Sequence, residues 1–175
     1  MGTRVYTLCN YCNDEHIYII GLVGEIFIID QFLKIWKTKQ KNFFQRENFD
    51  NDFVSFIKEN KVFDGVSESE IQTQLDVVYK FVNGFFNPRE KELLTKNILL
   101  SHQVEITPVV NSDLEESKRE VANIPILKLE FLNEKPYIRE YSKNVLYLQY
   151  NETLKAFICP RSLQFNAVVI RNEEA

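Results

Sequence analysis

Glycine is scarce. Five occur in 175 residues, at positions 2, 21, 24, 65 and 84, so neither a P-loop nor a dinucleotide-binding fingerprint can be drawn. Cysteine is scarce and odd in number. Cys9, Cys12 and Cys159 do not make a disulfide framework, and their free thiols point to a reducing, cytoplasmic setting. Positive charge is also short. Lys and Arg number 21 against 25 Asp and Glu, giving a net charge of −4 and a pI of about 5.3. The only cationic cluster is Lys34, Lys37, Lys39, Lys41 and Arg46, which reads as the solvated side and exit of a helix. Nucleic acid is therefore not an expected partner.

No apolar run reaches membrane length. The segment from Ile17 to Ile29 is broken by Gly21, Gly24 and Glu25, and then by Asp30, Gln31 and Lys34, whereas a spanning helix needs about 20 apolar residues. No membrane association is expected. The start, MGTRVYTLCNYCNDEH, has one Arg, then acidic residues, and no small-residue cleavage pattern follows, so it does not read as a secretory signal. Tyr6 stands where a myristoylation site needs Ser or Thr. No internal repeat or low-complexity segment is present. Asn151-Glu152-Thr153 matches the glycosylation acceptor pattern, which matters only in a secreted protein.

What is present is hydrophobic and aromatic. The hydrophobic fraction is 45%, with 14 Phe and 8 Tyr. A chain this long buries roughly 70% of its unfolded surface and needs no staples. The expected fold is α+β, a single domain over 1–175 with a helical half of about 1–102 and a sheet half of about 103–175. N-terminal strands and helices pack on one face of a C-terminal antiparallel β-meander. The organising stretch is His16–Trp36, apolar on both faces and so expected inside.

Arg4–Cys9 and His16–Ile20 read as strands around the turn Asn10–Glu15. A helix is expected from about Gly24 to Lys37, with a hairpin of His16–Leu22 against Glu25–Asp30 as the alternative. Phe43 and Phe44 anchor the following loop. A helix over Phe49–Asn60, capped by Asp50 or Asn51, presents Phe49, Phe53, Phe56 and Ile57. Lys61–Val66 connects it to a helix over Ser67–Asn83. That helix has a Ser67/Glu70 capping box, a Val66/Ile71 staple and Gly84 as C-terminal cap. Asn87 and Pro88 open a helix running to His102. Val104–Val110 is a strand with Pro108 at an edge or bulge, and Ser112–Ala122 is a polar helix boxed by Ser112 and Glu115. Strands follow at Ile126–Leu132, Tyr137–Tyr141, Val145–Tyr150, Leu154–Cys159 and Gln164–Ile170.

Cys9, Cys12 and His16 have the spacing C-x2-C-x3-H, which can supply three tetrahedral zinc ligands, with Cys159 or His102 as a fourth. No second short-spaced pair accompanies them. The plainer reading, two cysteines bracketing a turn with His16 opening a strand, is preferred, and zinc is the alternative. His102 reads as a charge at a helix C-terminus. Lys128 and Glu130 stand in the reverse order to the Glu-x-Lys of metal-dependent nucleases. Asp113, Glu115, Glu116 and Glu120 form an acidic surface suited to a basic protein partner, which Glu70 and Asp76 would extend.

No catalytic constellation emerges. The expected function is a non-enzymatic, acidic protein-binding domain that neutralises or regulates a partner, as an antitoxin, immunity protein or viral counter-defence factor does. The alternatives are a zinc-stabilised adaptor and a ligand-binding or enzymatic domain. The latter would have a pocket between helices and sheet, lined by Tyr137, Tyr141, Tyr147 and Tyr150.

Overall fold

The apolar stretch from His16 to Trp36 divides at a pair of glycines. Gly21 (φ 89°) and Gly24 (φ 49°) take left-handed backbone, which glycine enters without the Cβ clash other residues meet. Before them lies strand β2 (Glu15–Ile20) and after them helix α1 (Glu25–Lys39), so the hairpin alternative does not form. Tyr18, Ile29, Phe32, Leu33 and Trp36 are buried, as expected of an interior segment, but Ile17 and Phe27 are about half exposed, at 45% and 47%. The two faces are not equally covered.

A computed structural model describes residues 2–59 and 67–175, apart from the side chains of residues 56–58 and 68. The chain is α+β: N-terminal strands and helices precede a strand-rich C-terminal region. The elements are β1 (Thr3–Cys9), β2, α1, then a helical stretch made of α2 (Arg46–Asn48), a π-helical turn (Phe49–Phe53) and α3 (Val54–Glu59). After these come α4 (Glu68–Phe85), α5 (Pro88–Lys96), β3 (Leu99–Asn111) and β4 (Ala122–Phe131). The short strands β5 (Tyr137–Ile138), β6 (Val145–Tyr147), β7 (Tyr150–Asn151) and β8 (Ala156–Phe157) lead to β9 (Ala167–Glu174). They form two antiparallel sheets, ordered β2-β1-β9-β8-β7 and β5-β4-β3-β6.

Two compact units result. The first comprises Met1–Phe27, Gln103–Lys128 and Ile138–Ala175. Its five-stranded sheet pairs β1 with β2 on one side and with β9 on the other, with an irregularity at Tyr6/Thr7. Val5, Cys9, Tyr18, Phe157, Cys159 and Ala167 bury one face of it. The second comprises Ile28–His102 and Leu129–Tyr137. Aromatic rings fill it: Phe32 lies within 6.2 Å, centroid to centroid, of Trp36, Phe43, Phe44, Phe53 and Phe86. The loop anchors Phe43 and Phe44 thus enter that cluster as expected.

The starts of α4 and α5 were legible in the sequence, and several other helix bounds were not. The Ser67/Glu70 capping box is present, and Asn87 caps α5 with Pro88 in the first turn, Glu90 completing a box that was not expected. Gly84 does not cap α4, which runs through it to Phe85. The stretch expected as a helix from Phe49 begins earlier, at Arg46, without a side-chain cap. Asp50 and Asp52 instead pair with Arg46 and Lys41, both at 2.8 Å. The connection 61–66, and with it the Val66 half of the staple, lies outside the described residues. Helix α5 stops at Lys96 and does not continue to His102. The Asn97 backbone is extended, and its side chain donates to the Leu93 carbonyl. Exposure of Ile98, Leu99 and Leu100 then alternates, at 49%, 1% and 48%, which is the period of a strand.

Ser112–Ala122 is not a helix. Only a 3-10 turn at Glu116–Lys118 forms, with no side-chain cap. Ser112 Oγ donates to the Asn144 carbonyl, and no box with Glu115 forms. The Arg119 guanidinium donates to the carbonyls of Ser112, Leu114 and Arg161, which holds the segment as a loop. Among the described residues no helix is long and apolar enough to cross a membrane.

Candidate metal centre

Two hairpin turns in the first unit have the same backbone. In the β1–β2 turn the Cys9 N–H donates to the Asp14 carbonyl (3.0 Å), and the Asn13 N–H donates back to Cys9 (3.0 Å). In the β8–β9 turn the Cys159 N–H donates to Gln164 (2.7 Å), and the Leu163 N–H donates back to Cys159 (2.9 Å). The fifth residue of each is left-handed, Asn13 at φ 59° and Leu163 at φ 56°. A cysteine therefore opens both turns. Because β1 and β9 are neighbours, the turns lie side by side, and the Asn10 N–H reaches the Asn166 carbonyl at 2.9 Å. Asp14 and Arg161 join them by an ion pair of 2.9 Å.

This arrangement gathers Cys9, Cys12, His16 and Cys159, whose ligand atoms all lie within 4.8 Å of one another. Cys12 Sγ is 3.6 Å from His16 Nε2 and 3.8 Å from Cys159 Sγ, and Cys159 Sγ is 3.8 Å from His16 Nε2. A tetrahedron with zinc–sulfur bonds of about 2.3 Å and a zinc–nitrogen bond of about 2.0 Å has S···S edges of about 3.8 Å and S···N edges of about 3.5 Å. The three spacings among Cys12, His16 and Cys159 lie within about 0.3 Å of those edges. A disulfide needs its sulfurs about 2 Å apart, so the same contacts are not a cystine, and all three cysteines are free.

The turn prepares its first thiol. The N–H groups of Tyr11 and Cys12 point at Cys9 Sγ, at 3.3 and 3.5 Å. Burial raises the Cys9 thiol, but those two N–H groups, with the neighbouring thiols, outweigh it and the net shift is downward. Cys12 moves the other way. Burial first, then its Cys9 and Cys159 neighbours, pushes it up to about 12. One ionised sulfur opposes the ionisation of the next, and a divalent cation is the charge that reverses this. Burial also holds His16 below its ordinary value, with Asp14 opposing and Arg161 adding to the effect. A neutral imidazole is the form that ligates metal. Beneath the cluster Tyr18 stacks on Phe157, centroids 4.6 Å apart, and its hydroxyl donates to the Ile158 carbonyl.

Of the two fourth ligands the spacing allowed, Cys159 joins the cluster. His102 lies in the other unit, on β3 and not at a helix end. Its Nε2 is 3.0 Å from Asp30 Oδ1, and Lys34 is 2.7 Å from the same carboxylate. The acidic residues scatter. Glu116 bonds the Tyr11 hydroxyl, Glu115 pairs with Lys118, and Asp113 and Glu120 are exposed. On α4, Glu70 is occupied by its capping box and Asp76 by Arg46. The four tyrosines offered as pocket lining do different things. Tyr137 bonds the buried Glu90, and Tyr141 donates to the Pro125 carbonyl. Tyr147 and Tyr150 are exposed. Glu130 bonds Ser101, and the cations Lys34, Lys41 and Arg46 each pair with an aspartate.

Comparison with protein-family models, with curated proteins and with solved structures finds no match.

Proposed function

We propose that this chain is a non-enzymatic protein-binding domain whose first unit is held together by one structural zinc ion. The observation that carries the metal is the convergence of three thiols and an imidazole within 4.8 Å of one another from two matched turns, three of them near tetrahedral spacing. Four protein ligands close a tetrahedral zinc and leave no position for water or substrate, which is the character of structural sites rather than catalytic ones. Cys9, Cys12 and His16 come from one hairpin and Cys159 from the other, so the ion would clamp β1 to β9 through their turns. The net charge of −4 and the exposed carboxylates of the loop between β3 and β4 support a basic protein as partner. Neutralising or regulating that partner is the role this reading assigns.

The test is metal content. The purified chain, expressed with zinc present and desalted, is expected to carry one equivalent. Replacement by cobalt(II) is expected to give the absorption of a tetrahedral thiolate complex, lost in Cys12→Ser and Cys159→Ser. Less than about half an equivalent of zinc ends the metal reading. Failure of the immobilised native chain to retain any protein from its source lysate at moderate salt ends the binding reading.

A further inference from the structure

Strand β2 has one open edge. Successive residues of an antiparallel strand direct their main-chain groups to opposite edges. The even-numbered residues face β1, as the Cys9–Asp14 bond at the head of the ladder shows. The odd-numbered ones face away from it. Gly21 exchanges bonds of 2.9 and 2.8 Å with Ile106 on that outer edge, and the Ile19 N–H is taken by Asn123 Oδ1 at 2.9 Å. Glu15 and Ile17 share the parity of Ile19 and Gly21, and among the described residues their outward N–H and C=O groups have no partner. The pairing therefore opens toward the turn, like a zip left part-drawn.

Beside that open edge is a cavity of about 500 Å³ lined by Glu15 and Ile17 on the β2 side and by Glu120, Val121 and Asn123 among others. Its charges are unevenly committed. Arg161 is neutralised by Asp14, and Arg119 is turned onto three main-chain carbonyls. Glu15 and Glu120 are exposed and have no ion pair among the described residues. The Ile17 side chain, 45% exposed, supplies an apolar contact on the same strand.

We propose that this slot takes an extended, basic peptide segment of a partner protein, added to β2 as an outer strand. Its main chain bonds Glu15 and Ile17, and its Lys or Arg side chains meet Glu15 and Glu120. Strand addition of this kind draws affinity from the main chain and specificity from alternate side chains. The proposal rests on the protein-binding reading above and names where and what the domain binds. It does not depend on the metal.

The test is an amide-shift titration of the full, 15N-labelled chain with blocked Lys-Val-Lys-Val-Lys-Val-Lys. Saturable shifts gathered on Glu15–Ile19 and Arg119–Asn123 are expected. The Glu-for-Lys peptide, and the Lys peptide N-methylated at alternate residues, are expected to produce none. Glu120→Lys, an exposed position without an ion pair, is expected to weaken binding about tenfold while leaving the rest of the spectrum in place. Equal binding of the N-methylated or the acidic peptide overturns the proposal. So do shifts at these amides on raising the concentration of the protein alone, which assign the edge to a second copy. Shifts confined to another surface overturn the slot but leave a protein-binding domain standing. Loss of the slot together with loss of any retained lysate protein removes both.

Discussion

Phe32 is surrounded by the rings of Trp36, Phe43, Phe44, Phe53 and Phe86, whereas Cys159, equally buried, faces two thiols and an imidazole. On the zinc reading, the two units solve the same problem by different chemistry. In the second, large apolar side chains bring hydrophobic area, and aromatic pairs contribute about 0.5–1.5 kcal/mol each beyond it. In the first, the residues at the head of the sheet are small or polar. On that reading, a cation is what gives the sulfurs there a reason to ionise together. A core of rings tolerates the loss of any one partner better than a set of four ligands does, because a tetrahedron missing a corner is a different site.

That contrast can be broken. Cys159→Ser is expected to abolish stoichiometric zinc, to below about a tenth of an equivalent by elemental analysis. Amide exchange protection is then lost along β1 and β9 while the second unit keeps its own. Loss of protection in both units alike would show that they do not differ in this way. Phe32→Ala tests the other side. It is expected to cost about 3–5 kcal/mol in urea unfolding followed by the fluorescence of Trp36, with the folded fraction still carrying one zinc. Asn87→Ala removes the cap of α5 and is expected to cost about 1 kcal/mol by the same measurement.

The smallest effect concerns pH. Burial holds His102 below its ordinary value of 6.5, outweighing the opposing pull of Asp30. The unfolded chain therefore takes up the proton first, and stability is expected to fall as the pH drops below about 6.5. His102→Gln is expected to flatten that part of the urea-midpoint profile between pH 8 and 5.5. An unchanged slope would remove His102 from the account.

How much of this was legible depends on how local the signal is. The Ser67/Glu70 box and the Asn87 cap each act within a few residues, and both form as the sequence indicates. Ile98–Leu100 is an apolar run that suits helix or strand equally, and only the alternation of burial decides it. The Ser112/Glu115 pattern has the same letters as the Ser67/Glu70 box, but few apolar residues stand behind it to hold a helix, and Arg119 draws the segment into carbonyl contacts instead. The metal candidate was three-quarters visible. Cys9, Cys12 and His16 share one hairpin, whereas choosing Cys159 over His102 requires knowing that β9 pairs with β1. Nothing near Gln164–Ile170 in sequence announces that pairing. The polar end of β9, Arg171–Glu174, belongs to the strand because β1 is its neighbour: Arg171 lies over the Tyr6 ring at 4.0 Å and the Tyr6 hydroxyl donates to Glu173.

The span of the cluster has a consequence for how the protein is made. Cys12 and Cys159 are 147 positions apart, and a ribosome adds roughly 5–20 residues per second. Three ligands therefore emerge many seconds before the fourth exists. On the zinc reading, the nascent chain offers an incomplete set during that interval, with its thiols open to other chemistry. On the same reading the centre waits for Cys159, so a chain stalled before that residue is expected to lack the metal that a chain carrying it holds.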